Sequence, residues 1–263
     1  MSRPCHVLRV FTRGDEGGNH LGVVNDVVGV SDEKMQKIAT ELGFSETIFI
    51  DWTDPAMEPK VRIFTPVDEL PFAGHPLVGA AWLLAALGPE PASALRTNVG
   101  PFSCSADMAG ATVSASPHIT EMDDDVAAIA VQANMPAPQR TVQLALPKSY
   151  LMAMYPTDQD VAALEPDMDA LSGVFGFTAF ARTGDKVKVR FFAPGTGVPE
   201  DPATGSAAIA LAKTFSLWGE PEGAVTISQG DEIGHPSTIE LSWTPDATTI
   251  GGTVRRDELV LVD

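Results

Sequence analysis

The chain has 263 residues, 44% of them hydrophobic, with 17 Lys and Arg against 35 Asp and Glu, a formal charge of −18 at pH 7. The length suits one large domain or two of roughly 130 residues, and the apolar fraction suits a globular chain with a sizeable core. The acidic balance argues against nucleic acid and against an anionic membrane surface, both of which call for a basic face. The start of the sequence has no apolar leader run, and no stretch approaches the length of a membrane span. Cys5 and Cys104 have neither CxxC nor metal-ligand spacing, and the five histidines (6, 20, 75, 118 and 235) are scattered. The expectation is a reduced cytoplasmic protein without a metal.

In chain order, His6 to Thr12 alternates as a strand, Asp15 to Asn19 is a Gly-rich loop, and Leu21 to Val28 is a second, β-branched strand. Ser31 is placed to cap a helix over 32–42, with Asp32 and Glu33 in its first turn, Met35, Ile38, Ala39 and Leu42 on one face, and Gly43 as its stop. Thr47 to Ile50 reads as a strand, with Ser45 and Glu46 at the helix-to-strand junction. Asp51 to Pro59 is a loop, and Lys60 to Thr65 a strand. A helix runs from Leu77 to Leu87, with Pro76 in its first turn and Gly88 after its end. Pro89 to Pro91 is a break, and three short strands follow (95–99, 100–104 and 111–116). Residues 119–138 form the junction between halves, with Thr120 as a helix cap three residues ahead of Asp123.

The second half restarts with strands over 142–146 and 151–155, helical pieces near 158–164 and 168–174, and strands over 176–180 and 187–192. Glu200 to Ser206 is a loop opening an Ala-rich helix that ends near Trp218. Strands follow over 224–229, 237–243, 248–254 and 258–262. The last can close onto the first half. The division expected is 1–118 and 119–263.

The chain repeats itself. Val61-Arg62-Ile63-Phe64-Thr65-Pro66 leads to Gly74-His75 and an apolar helix. Val189-Arg190-Phe191-Phe192-Ala193-Pro194 leads to Gly205-Ser206 and another. A short helix apolar all round belongs inside a domain, and its first turn then presents bare N–H groups and partial positive charge to whatever lies there. Two such starts most simply face one cleft, carrying Gly74, His75, Asp201, Gly205 and Ser206. Aligning Gly176 to Phe180 with Ser45 to Phe49 puts Phe177 where Glu46 stands, so the carboxylate has one copy. No phosphate loop or dinucleotide fingerprint competes, and Thr204-Gly205-Ser206-Ala207-Ala208 is not a nucleophile elbow. The chemistry that fits is proton transfer beside an anion, with Glu46 as acid/base and oriented N–H dipoles stabilising developing charge. Arg62 and Arg190 read as structural ion pairs.

Ser45-Glu46-Thr47, Pro71-Phe72-Ala73-Gly74-His75-Pro76 and Glu200-Asp201-Pro202-Ala203-Thr204-Gly205-Ser206-Ala207 resemble the motifs of the PhzF-like family, named for phenazine biosynthesis. Gly18-Asn19-His20-Leu21 resembles its early Gly-Asn-Pro segment, with His20 in place of the proline. The resemblance implies the diaminopimelate epimerase-like fold, α/β with two similar halves, each a curled sheet around a central helix. It also implies a homodimeric isomerase without cofactor or metal, similar to trans-2,3-dihydro-3-hydroxyanthranilate isomerase, acting on a small anionic metabolite. Glu46 would be the proton shuttle, His75 and Asp201 would hold the substrate's polar groups, and Ser45, Gly74, Gly205 and Ser206 would bind it. The epimerases of this fold that use two thiols carry them at the helix starts, where this chain has His75 and Ser206. The competing readings are an epimerase of an unrelated amino-acid-like substrate and a non-catalytic ligand-binding dimer.

Overall fold

Two helices that are apolar on every side organise the chain, and each has its own unit around it. A computed structural model describes residues 2–52, 57–88, 91–116, 118–123, 125–146 and 148–263. Parts of the expected loop at 51–59 and of the break at 89–91, and the acidic residue Asp124, lie outside the described residues. Residues 1–115 and 250–263 form the first unit and 116–249 the second.

The first unit contains β1 (Arg3–Val10), β2 (Asn19–Val24), α1 (Asp32–Leu42), β3 (Glu46–Asp51), β4 (Lys60–Phe64), β5 (Glu69–Leu70), α2 (Gly74–Leu87), β6 (Ala94–Thr97), β7 (Gly100–Ala106) and β8 (Gly110–Ala115). β1 pairs antiparallel with β2, β2 parallel with β3, β3 antiparallel with β4, and β4 parallel with β6. β6, β7 and β8 follow as an antiparallel meander.

The second unit contains β9 (Thr120–Met122), α3 (Val126–Gln132), β10 (Arg140–Leu146), β11 (Lys148–Met154), α4 (Asp158–Ala162), α5 (Met168–Leu171), β12 (Gly176–Thr183), β13 (Lys186–Ala193), β14 (Val198–Asp201), α6 (Gly205–Leu217), β15 (Gly223–Gln229) and β16 (Ser237–Trp243). Its ladders repeat the first: β11 runs parallel to β12, β12 antiparallel to β13, and β13 parallel to β15. The last strand, β17 (Thr248–Val262), pairs with β1 from Arg3↔Val262 to Val10↔Val254 and with β8, closing an eight-stranded barrel in the first unit. The two strands expected over 248–254 and 258–262 are therefore one. A register shift between Val7 and Leu8 absorbs Asp257, which pairs with Arg9 at 2.7 Å.

Burial follows composition. Ten residues of α2 and ten of α6 are buried, as an all-round apolar helix requires. α1 has one apolar stripe and packs Met35, Ile38 and Ala39 on Val24, Phe49 and Phe64, outside the sheet. α3, α4 and α5 cover the corresponding face of the second unit, over Leu151, Phe177, Ala179 and Phe192. Each fully buried Leu, Ile or Phe contributes about 1.5–3 kcal/mol. Gly79 lets α2 lie close to the barrel wall, since a Cβ there would sit 2.4 Å from Leu21 Cδ2 and 2.9 Å from Val10 Cγ2. Alanine would gain about 1 kcal/mol of helix propensity and lose about 1–3 kcal/mol to overpacking. Gly79→Ala is therefore expected to lower the urea midpoint, and a raised midpoint would mean that Leu21 yields.

Three local expectations need correction. Thr120 caps no helix: it lies in β9, where Glu121 pairs with Leu144 of β10, and α3 is capped by Asp125, whose carboxylate accepts from Ala128 N at 2.9 Å. The second strand ends at Val24, not Val28. The repeat alignment slips by one: Phe49 pairs with Arg62 and Ala179 with Arg190. Phe49 and Phe177 also both face the outer helices, so Phe177 matches Thr47 and Gly176 matches Glu46. At Gly176 a Cβ would strike the Phe191 ring at 2.2 Å, so that half has no room for a side chain there.

Candidate active site

In both repeats an arginine–glutamate clamp sets the segment ahead of the central helix. Arg62 donates from Nε and Nη2 to Glu69 at 2.8 and 2.7 Å, and Arg190 does the same to Glu200 at 2.9 and 2.8 Å. Each glutamate stands five residues before the helix-starting glycine, Gly74 or Gly205. The arginines therefore have the structural role expected of them. The spacing Arg…Glu-x4-Gly, present in both repeats, is its signature in the sequence.

The clamped segments end at helix starts with no side-chain cap. Ala73 and Thr204 make no capping hydrogen bond. Ser31, Asp125, Thr157 and Asp167 cap α1, α3, α4 and α5. The leading N–H groups of α2 and α6 are thus without capping side chains, in helices whose dipoles favour an anion.

In the first unit the structure brings together Glu46, His75 and Ser45. Glu46 opens β3 opposite Leu21, and His75 is the second residue of α2. Glu46 Oε2 lies 3.4 Å from His75 Nδ1, with side-chain exposures of 16% and 3%. Asn19 Nδ2 lies 3.4 Å from the same nitrogen, and Asn19 Oδ1 accepts from Ser45 Oγ at 2.8 Å. Asn19, which ends the Gly-rich loop and belongs to the segment that resembles the family's Gly-Asn-Pro motif, therefore joins two of the expected residues. His75 Nε2 is buried and has no hydrogen-bond partner among the described residues. Burial pushes the imidazole down to about 3, a hydrogen bond with the His20 backbone opposing this only in part. The ring is neutral at pH 7, so its contact with Glu46 is not a charge pair. His20 stacks its own ring on Phe44, with centroids 5.5 Å apart.

A buried neutral histidine makes stability depend on pH with a definite sign. The unfolded chain binds a proton near pH 6.5 that the native ring refuses until about 3. The contribution is complete above pH 6.5 and is lost as pH falls toward 3, at about 1.4 kcal/mol per unit. Between pH 6.5 and 4 the unfolding free energy of the wild type should fall by about 3 kcal/mol more than that of His75→Leu. Parallel urea curves for the two proteins would contradict the assignment.

In the second unit Asp201, Gly205 and Ser206 meet. Asp201 ends β14, a short strand where a loop was expected, and pairs with Phe191. Thr204 Oγ1 donates to Asp201 Oδ2 at 2.5 Å. Gln229 Nε2 donates to the Asp201 carbonyl at 2.7 Å, and Tyr150 OH lies 2.8 Å from Ser206 Oγ. Asp201 and Ser206 are 7% and 9% exposed. Tyr150 and Gln229 carry no local signal: Tyr150 falls in the gap between the strands expected over 142–146 and 151–155, and Gln229 ends the strand expected over 224–229, each far in sequence from the residue that it contacts. Cys5 and Cys104 lie in β1 and β7, away from the helix starts. Among the described residues no helix is long and apolar enough to cross a membrane.

Residues 8–255 match the family described as PhzC-PhzF, phenazine biosynthesis-like protein. The trans-2,3-dihydro-3-hydroxyanthranilate isomerase of Pseudomonas chlororaphis is 34% identical over 247 residues, covering 89% of this chain and 87% of that one. A PhzF-family crystal structure from Bacillus anthracis superposes with a TM-score of 0.84 at 20% identity, over 100% of this chain and 99% of the other. A hydroxyproline epimerase from Agrobacterium vitis has the same fold, with a TM-score of 0.68 at 10% identity over 99% and 92% of the two chains. With the repeated strand ladders and the buried helix of each unit, these matches give the diaminopimelate epimerase-like fold. The chain belongs to the phenazine biosynthesis-like PhzC-PhzF family and is an isomerase of that family.

Proposed function

We propose that the protein isomerises a small anionic metabolite by moving one proton, without a cofactor, on a substrate similar to trans-2,3-dihydro-3-hydroxyanthranilate. Glu46 takes the proton from one carbon and returns it to another. His75, a neutral hydrogen-bonding ring, and Asp201 hold the polar groups on which charge shifts. Ser45 and Gly74 in the first unit and Gly205 and Ser206 in the second are the groups that bind the carboxylate and amine. The reading includes a cytoplasmic homodimer that binds no nucleic acid.

The observation that carries this is the buried Nε2 of His75, which has no hydrogen-bond partner among the described residues, on a ring whose Nδ1 lies beside Glu46 at an uncapped helix start. A buried polar atom without a partner costs about 1–3 kcal/mol, a cost that a substrate hydrogen bond would remove. The neutral ring can donate or accept there without building charge, and the N–H groups of α2 favour an anion. The 34% identity to a named isomerase supports the substrate class. Incubation with trans-2,3-dihydro-3-hydroxyanthranilate in D₂O is expected to give an isomerised product, which carries deuterium to the extent that the Glu46 carboxyl exchanges its proton with solvent before returning it. Tight binding of this acid with neither isomerisation nor label uptake would overturn the catalytic reading.

A further inference from the structure

We infer that Gln229, on β15 and remote in sequence from the helix start, is the positioning residue that fixes the Asp201 carboxylate, acting through the Thr204 hydroxyl. This rests on the role given to Asp201 above. The carboxamide has three contacts: Nε2 donates to the Asp201 carbonyl at 2.7 Å and to Thr204 Oγ1 at 3.0 Å, and Oε1 accepts from Thr204 N at 3.3 Å. Its orientation is forced, because a backbone N–H can only donate and a carbonyl can only accept. The Thr204 hydroxyl receives one of these protons, so its own proton goes to Asp201 Oδ2, 2.5 Å away. One amide thus holds both ends of the Asp201–Thr204 segment and sets the direction of the hydrogen bond into the carboxylate. Gln229 is 1% exposed and Thr204 9%, so water competes little for these bonds.

The next residue supports the same anchoring. Gly230 has φ +82°, and a Cβ there would lie 2.7 Å from the Pro202 carbonyl and 2.3 Å from that of His235. The backbone after Asp201 therefore rests directly on a position that only glycine can supply. The first unit lacks the device. Val189 pairs with Gln229, while Lys60 pairs with Arg96, so Thr97 stands beside Val61 in the matching place. The Thr97 hydroxyl turns to its own hairpin, donating to the Gly100 carbonyl at 3.3 Å, and the residue matching Asp201 is Leu70. The anchor is present only in the repeat that has a carboxylate to hold.

The test combines kinetics with hydrogen exchange on Gln229→Leu, Thr204→Val, Thr204→Ser and the Gln229→Leu/Thr204→Val double variant, with trans-2,3-dihydro-3-hydroxyanthranilate as substrate. Gln229→Leu and Thr204→Val should each lower kcat by roughly 10–100-fold with KM changed less than about threefold. Thr204→Ser should stay near wild type. The double variant should be no worse than the poorer single one, because both act on one path. The acid limb of kcat/KM should move to higher pH in Thr204→Val, since a hydroxyl donor favours the charged carboxylate. Unchanged kcat in the single variants, or losses that multiply in the double one, would overturn the proposal. If the wild type fails to turn over this substrate, the reading of the site falls, and exchange alone decides the anchor. The Thr204 amide should then exchange at least about tenfold faster in Gln229→Leu while Leu211 in α6 stays protected, and equal rates at Thr204 would refute it.

Discussion

Glu46→Gln is expected to abolish proton transfer while leaving the protein folded. Glutamine keeps the shape of the side chain and its place at the start of β3, but it cannot take up and return a proton. Loss of a positioned acid/base lowers turnover by about 10²–10⁴-fold, or about 3–5 kcal/mol in barrier height. The side chain is 16% exposed and sits against a neutral ring, not a buried cation, so the melting temperature should move little. The measurement is kcat together with deuterium incorporation into product. A Glu46→Gln protein retaining a tenth of wild-type turnover would remove this residue from the mechanism. A large loss of stability in its place would assign it a structural role.

Glu200→Ala is expected to give the largest loss of stability among surface-remote substitutions, because it strands a charge. Arg190 and Glu200 are 8% and 7% exposed in their side chains and form a two-point pair. Nη1 of the arginine also donates to the carbonyls of Ala162 and Leu164, at 3.2 and 2.6 Å. Removing one partner of a buried pair costs about 3–5 kcal/mol, which at this chain length lowers the melting temperature by roughly 10 °C. Glu69→Ala in the first repeat is the control. Arg62 and Glu69 are 28% and 27% exposed, and Arg62 keeps Asp32 as a second partner, so water screens the pair and the loss should be about 1 kcal/mol or less. The double variant Arg190→Met/Glu200→Leu should recover part of the Glu200→Ala loss, short of the whole, because the carbonyls of Ala162 and Leu164 lose their donor. Equal losses at Glu200 and Glu69 would show that burial does not separate the two clamps.

Residues whose neighbours are local were legible in the sequence. α1 begins and ends where Ser31 and Gly43 place it, with the Ser31 hydroxyl accepting from Lys34 N and Gly43 at φ +66°. α2 and α6 were legible because a helix without a polar face has only the interior to occupy. Thr120 misled because a cap pattern is a local preference, while pairing of Glu121 with Leu144 is a tertiary one. Phe177 misled because a strand shifted by one residue exchanges its faces, and the motif alone does not carry that parity. Glu46 and His75 could be proposed from motif and repeat together. Their 3.4 Å approach could not, nor could the contacts of Tyr150 with Ser206 and Gln229 with Asp201, which span 56 and 28 residues.

The first unit is built from two stretches of chain, 1–115 and 250–263, and β1 needs β17 as its neighbour. A ribosome makes β1 first and its partner some 250 residues later. At about 5–20 residues per second, β1 waits roughly 10–50 s for that edge to be covered. Residues 116–249 form one uninterrupted stretch and need no such distant segment. A released chain truncated before residue 250 should therefore carry a finished second unit and an open, chaperone-accessible first unit that lacks one strand of its barrel.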